Sequence, residues 1–331
     1  MKHVLYSLGL IFSAAAVLIF IHAYLFLTTP ASPGKPLQIE IISGQSAWDI
    51  SRLLESTNVV TDARMFMAIA LISGKARHLQ AGTYVFEGSH VPADVMNILF
   101  KGKTLRYRIT VPEGSTIFDI ADIIASTSLV AREEFLLKAR NRETTSFFDL
   151  SAPSVEGYLF PDTYFLAPHM TPLEIMAKMI SRFRALYTND MMLRAEELGL
   201  SRLEVITLAS IIEKEAVIEE EKPVISSVFH NRLNRNMLLQ SDPTAIYGIE
   251  GFNRTIRPRD LHRDSPYNTY RNPGLPPGPI CNPGLASIRA ALWPADTNYL
   301  YFVSNRDGTH SFSSTLKEHS TTIRRLYRTR K

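Results

Sequence analysis

The sequence predicts an α+β protein with one N-terminal membrane-spanning helix, a strand-helix unit used twice, and a helix-rich mixed remainder. Three observations carry this: an almost wholly apolar run at residues 4–27, a self-match at a constant offset of 70 residues, and a capped helical stretch from Arg202 followed by turn-rich loops. Composition sets the outer bounds. With 45% apolar and 21% charged residues in 331, wholesale disorder, collagen-like structure and a multi-span transporter are excluded. The net charge of +4 comes with no nucleic-acid recognition motif, so no nucleic-acid partner is expected. The single cysteine, Cys281, excludes an internal disulfide framework and a zinc site built on paired cysteines.

Between Lys2 and Lys35 there is no Asp, Glu, Lys or Arg, and the apolar run is long enough to cross a hydrocarbon layer about 30 Å thick. A cleaved signal peptide is the competing reading, with Ala14-Ala15-Ala16 as its cleavage site. The run continues to Leu27, however, which favours a retained anchor. Lys2 before the span keeps the N-terminus cytoplasmic and sends the rest of the chain outward. No cysteine lies near the span, which argues against a lipoprotein anchor. Residues 1–30 are thus assigned to the cytoplasmic N-terminus and anchor, and the Pro- and Gly-containing residues 31–36 to a linker.

The repeat places residues 37–105 over residues 106–185. Ile39, Gly44, Asp49 and Ile50 match Ile109, Gly114, Asp119 and Ile120, and after an insertion of about ten residues Thr83-Tyr84 matches Thr163-Tyr164. Each copy reads as a strand, a glycine turn and a helix opened by a capping pair, Ser46 with Asp49 and Thr116 with Asp119. Ile50, Leu53 and Leu54 then give an apolar stripe, as do Ile120, Ile123 and Ile124. The run from Ile42 to Ser51 resembles the start of LysM modules, which bind the amino-sugar backbone of wall polysaccharides. Trp48 could stack on a sugar, but its place at the first apolar position of a helix assigns it to the core.

Residues 186–331 form the helix-rich part. Ser201 caps a helix in which Ile206, Ala209, Ser210, Glu213, Ala216 and Val217 share one side, so Glu213 interrupts a face of apolar and small residues. A carboxyl there loses solvation and is expected to stay protonated near neutral pH, as a general acid must; the alternative is a glutamate paired with an arginine. Glu215 and Glu219-Glu220-Glu221 read as a solvated face and helix-end charges. Loops holding Asn231, Gln240, Asp242, Tyr267, Asn268 and Tyr270 offer neutral hydrogen-bonding groups and aromatic faces, which suits a carbohydrate groove better than a phosphate cradle. A hairpin is expected where Tyr299 to Val303 meets Thr309 to Phe312. The tail from Arg324 to Lys331 reads as a solvated helix end. No motif calls for a cofactor, and His230, His262 and His310 are too scattered to argue for a metal.

The runs Glu156-Gly157-Tyr158-Leu159-Phe160-Pro161-Asp162, Leu208-Ala209-Ser210-Ile211-Ile212-Glu213-Lys214-Glu215, Gln240-Ser241-Asp242-Pro243-Thr244, Tyr267-Asn268-Thr269-Tyr270 and Gly274-Leu275-Pro276-Pro277-Gly278 closely resemble the YceG-like family of endolytic murein transglycosylases. The resemblance covers nearly the whole chain after the anchor. It implies an enzyme of the cytoplasmic membrane acting on peptidoglycan from the outer side, a lyase with Glu213 as catalytic acid/base. Its partners would be glycan strands, with peptidoglycan synthases as further candidates. Asn231, Gln240, Asp242, Tyr267, Asn268, Tyr270 and Glu215 are the candidates for substrate binding. Trp293-Pro294 departs from the family, where His-Pro is frequent. Two rivals stay open: a hydrolytic muramidase with Asp242 as base, and a non-catalytic wall-binding scaffold that recruits synthesis enzymes.

Overall fold

The computed structural model describes residues 2–252 and 254–328 and divides into two compact units, Met1–Tyr107 and Arg108–Lys331. In the first, α1 (Lys2–Thr28) contains a stretch, Leu10–Thr28, long and apolar enough to cross a membrane and only 6% buried in the protein. Its far end behaves differently. Phe26 is buried in the unit's core, and Ala31 pairs with His90 through two backbone hydrogen bonds of 2.9 and 2.8 Å. The stretch expected as a free linker is therefore tied to the unit at its first residue.

Strand β1 (Leu37–Ile41) pairs antiparallel with β2 (Gly82–Phe86), Ile39 opposite Tyr84. Between them run α2 (Ala47–Ser56) and α3 (Ala63–Ile72), and α4 (Pro92–Phe100) follows. The expected inward alternation holds, since Ile39 and Ile41 join Ile50, Leu54, Phe66, Tyr84, Phe86 and Leu99 in one core. Ser46 and Asp49 form the expected capping box. Trp48 contradicts its core assignment: it is 40% exposed, because Ile50 and Leu54 take the inward side of α2 and leave the first turn's other side to solvent.

The second unit opens with the same order of elements. β3 (Tyr107–Thr110) and β4 (Thr163–Leu166) share a sheet, α5 (Ile117–Ala125) and α6 (Arg132–Ala139) lie between them, and α8 (Pro172–Leu186) follows. The extra helix α7 (Arg142–Phe147) falls where the repeat alignment needs an insertion. Thr116 and Asp119 repeat the capping box. After α9 (Asn189–Glu197) comes α10 (Arg202–Glu215), capped by Ser201 reciprocally with Glu204. Val205 through Ile212 are all buried, so α10 is a central helix rather than one with a single inward face. Around it stand α11 (Lys222–Asn234), α12 (Asp242–Ile246) and α13 (Leu285–Leu292). The expected hairpin is β5 (Tyr301–Ser304) with β6 (His310–Ser313), covered by α14 (Leu316–Arg328). Arg324 and Arg325 lie on α14, while residues 329–331 of the basic tail fall outside the described residues.

Candidate active site

Glu213 sits in the last turn of α10 with its side chain 8% exposed, and donors from two other helices fill its carboxylate. Ser287 Oγ donates to Oε2 at 2.6 Å and the Gly284 N–H to the same oxygen at 2.9 Å. Gly284 is the N-cap of α13 and supplies no side-chain cap, so its free N–H is available to the carboxylate. Lys222, at the start of α11 and 7% exposed, places Nζ 3.3 and 3.4 Å from the two oxygens. Glu213 is thus in a buried ion pair rather than in the apolar pocket expected from the helical pattern, and its partner is a lysine, not an arginine.

A second carboxylate lies beside the first. Glu113 belongs to the turn between β3 and α5, which is pinned by the Gly114 N–H to Asn282 O at 2.9 Å and by Lys214 Nζ to Gly114 O at 2.9 Å. A Cβ on Gly284 would collide with the Glu113 carboxylate, and one on Gly114 would rest 3.6 Å from Glu213 Cγ. Loss of solvation and then the charge of Glu213 push the Glu113 carboxyl above its ordinary value, against the opposing pull of Lys222.

Beneath this turn, Glu156 is fully buried and accepts the Ile117 N–H on both oxygens at 3.1 Å, with Asn282 Nδ2 at 2.7 Å and the Tyr247 hydroxyl at 3.0 Å. Burial pushes it up to about 8. Asn282 Oδ1 in turn accepts the Gly157 and Leu159 N–H groups. Gly157 is required at its position: its φ is +86°, and a Cβ would meet the Pro279 ring at 2.5 Å and Ile206 at 2.8 Å. This network fastens the Glu156–Phe160 segment and the loop before α13 to the start of α5.

The other expected residues fall into two groups. Asn231 and Asn268 direct their amides at backbone carbonyls, Asn231 to Thr297 and Tyr299, and Asn268 to Leu261 and Arg263; Asn268 is wholly buried. These contacts hold loops, with both amide groups donating to backbone carbonyls. Asp242 accepts the Tyr270 hydroxyl at 2.5 Å, Tyr267 packs on Tyr247 with ring centroids 4.7 Å apart, and Gln240 takes a left-handed φ of 48° as its N–H donates to Thr269 O. Glu215 is not on a solvated face. It accepts Ser241 Oγ at 2.5 Å, and loss of solvation raises it to about 7, with Asp242 pushing the same way against His310 and Arg232. Glu221 likewise is more than a helix-end charge: it accepts the His310 N–H at 3.0 Å and faces Nδ1 at 2.7 Å.

A cavity of about 580 Å³ opens beside the site. Pro223, Ala286, Arg289, Ala290, Glu219 and Trp293 are among its lining residues, and Trp293 is 44% exposed. Sequence reasoning did not find Lys222, Gly284, Ser287 or Glu113 as site residues. Lys222 follows three glutamates and reads as one more surface charge, and Gly284 and Ser287 follow a Pro-Gly loop that reads only as a turn.

The model of the YceG-like family matches residues 39–325. The chain is 34% identical over 299 residues to a Bacillus subtilis protein named endolytic murein transglycosylase, covering 86% of this chain and 83% of that one. It is 29% identical over 333 residues to a Streptococcus pneumoniae protein of the same name, covering 90% of this chain and 59% of that longer relative. A crystal structure of a YceG-like protein from Listeria monocytogenes superposes with a TM-score of 0.60 at 33% identity, over 87% of this chain and 98% of that one. The chain belongs to the YceG-like family.

Proposed function

We propose that this protein is an endolytic lytic transglycosylase of peptidoglycan. It cleaves the MurNAc-GlcNAc bond within nascent strands without water, leaves 1,6-anhydro-MurNAc ends, and so limits strand elongation. The observation that carries the reading is the placement of Glu213, a carboxyl fixed by Ser287, Gly284 and Lys222 at the end of the central helix, in a chain whose relatives bear that activity in their names. In this reading Glu213, ion-paired with Lys222 in the free protein, takes up a proton when substrate binds and passes it to the glycosidic oxygen, and the 6-hydroxyl of the same muramoyl unit attacks its own anomeric carbon. Glu213 then takes the proton from that hydroxyl, so one carboxyl does both proton transfers.

Gln240, Asp242, Tyr267 and Tyr270 remain the groups proposed to face the sugars, and Glu215 supports them through Ser241. The first unit is proposed as a LysM-like wall-binding module, supported by two helices lying between a pair of antiparallel strands and by the exposed Trp48 ring. The apolar helix is proposed to hold the enzyme in the cytoplasmic membrane, N-terminus inside, near newly made strands and their synthases. Mass spectrometry of glycan digested by the purified protein tests the reaction. Transglycosylation gives muramoyl ends one water lighter than the reducing ends that a muramidase using Asp242 would give; reducing ends alone would refute the proposal.

A further inference from the structure

Resting on that reaction, we infer that Glu113 touches the muramoyl unit in the catalytic centre, accepts the hydrogen bond of its 6-hydroxyl, and thereby selects that hydroxyl over water as the group that captures the anomeric carbon. The reaction poses a selectivity problem that Glu213 alone does not solve. Once the glycosidic bond loosens, any nearby water can compete with the internal hydroxyl, and only a group that orients the hydroxyl favours ring closure.

Glu113 has the right placement for this. Its carboxylate lies against Gly284, the residue whose N–H holds Glu213, so the two carboxyls flank a single residue. The backbone of its turn is fixed at Gly114 by Asn282 and Lys214, whereas no donor among the described residues bonds to the carboxylate, and the residue is exposed. An anchored base with a free, solvent-facing acceptor is what a substrate hydroxyl needs. The charged groups that face it are Glu213 and Glu219 on the acidic side and Lys222 on the basic side, with Lys214 Nζ held at the neighbouring carbonyl. The net effect on Glu113 is upward, which makes it a stronger hydrogen-bond acceptor than an ordinary surface glutamate. In the repeat alignment Ser43 occupies the matching place of the first copy, so the carboxylate distinguishes the copy in the unit that holds Glu213.

The step balances without a co-reactant. The bond from C1 to the leaving oxygen breaks with its electron pair on that oxygen, which takes the proton of Glu213. A lone pair of the 6-hydroxyl oxygen forms the new bond to C1, and the hydroxyl proton returns to Glu213. Glu113 ends as it began.

The test is the product partition of Glu113→Ala, which removes the acceptor, and Gly284→Ala, read by mass spectrometry on purified full-length protein with isolated glycan strands. Gly284 has φ −74° and ψ 170°, which alanine adopts, so that variant keeps the N–H to Glu213 while its methyl displaces the Glu113 carboxylate. Both variants should form anhydro ends roughly 10- to 100-fold more slowly. They should also release reducing ends, one water heavier, as a larger share of product, a change that mere loosening of the fold would not produce. If Glu113→Ala does not fold, Gly284→Ala carries the test alone. Anhydro ends formed at the wild-type rate and proportion by either folded variant would overturn the inference. The wild-type protein separates this from the parent reading, since only failure of that reading makes wild type itself yield reducing ends alone.

Discussion

Both oxygens of Glu213 are occupied by groups from α11 and α13, so its position depends on packing far along the chain as much as on its own helix. Its neighbour two residues on differs in kind. Glu215 is buried against Ser241 and raised to about 7, a carboxyl that shapes the Ser241-Asp242 loop. Glu215→Gln should therefore lower glycan cleavage far less than Glu213→Gln, and a side-by-side rate measurement checks the contrast. Glu156 gives a pH prediction whose sign follows from its raised value. A carboxyl lifted from 4.5 to about 8 on folding contributes stability that is complete below its unfolded value and declines as pH rises toward 8. Chemical unfolding at pH 5, 7 and 9 should show stability falling by on the order of a few kcal/mol from this residue, and Glu156→Gln should flatten the decline. A slope unchanged in that variant would assign the pH dependence elsewhere. Glu213 was legible in the sequence because a carboxyl among apolar and small residues breaks a helical pattern. Its partners were not, because contacts to residues nine, 71 and 74 positions away leave no periodic trace.

At the scale of elements, local signals carried well where they are local. The capping boxes before α2, α5 and α10 are read directly from Ser46, Thr116 and Ser201 with a carboxylate three residues on. The hairpin of β5 and β6 follows from strand composition on either side of a turn. The errors arose where tertiary packing decides. Trp48 is exposed because Ile50 and Leu54 fix which side of α2 faces inward, and the middle of α10 is buried because helices and the loops at Gly157 and Ile280 both pack on it. The same holds at the end of the anchor, where an apolar run gives no sign that Phe26 belongs to a soluble core. Deleting residues 1–22 should leave the first unit folded, whereas deleting residues 1–30 removes Phe26 and should cost about 3–5 kcal/mol, the range for loss of a buried Phe side chain. Thermal melts of the two truncations check this, and equal midpoints would contradict the placement of Phe26. Gly157→Ala should also destabilise the second unit, since its φ is left-handed and the Cβ meets Pro279.

The whole molecule joins an apolar helix leading into a small strand-helix unit to a larger unit in which a related arrangement of elements continues into the helices around Glu213. Membership of the YceG-like family and the geometry about Glu213 lead to one central claim, that a single carboxyl moves the proton in both halves of the reaction. The measurement that tests it most directly compares the rate of anhydro-end formation by wild type and Glu213→Gln on isolated glycan strands, with strand binding measured alongside. Glutamine keeps the shape of the side chain but cannot shuttle a proton, so the rate should fall by roughly 10²–10⁴-fold while binding and fold persist. Comparable yields of anhydro ends from the two proteins would rule out Glu213 as the group that moves the proton.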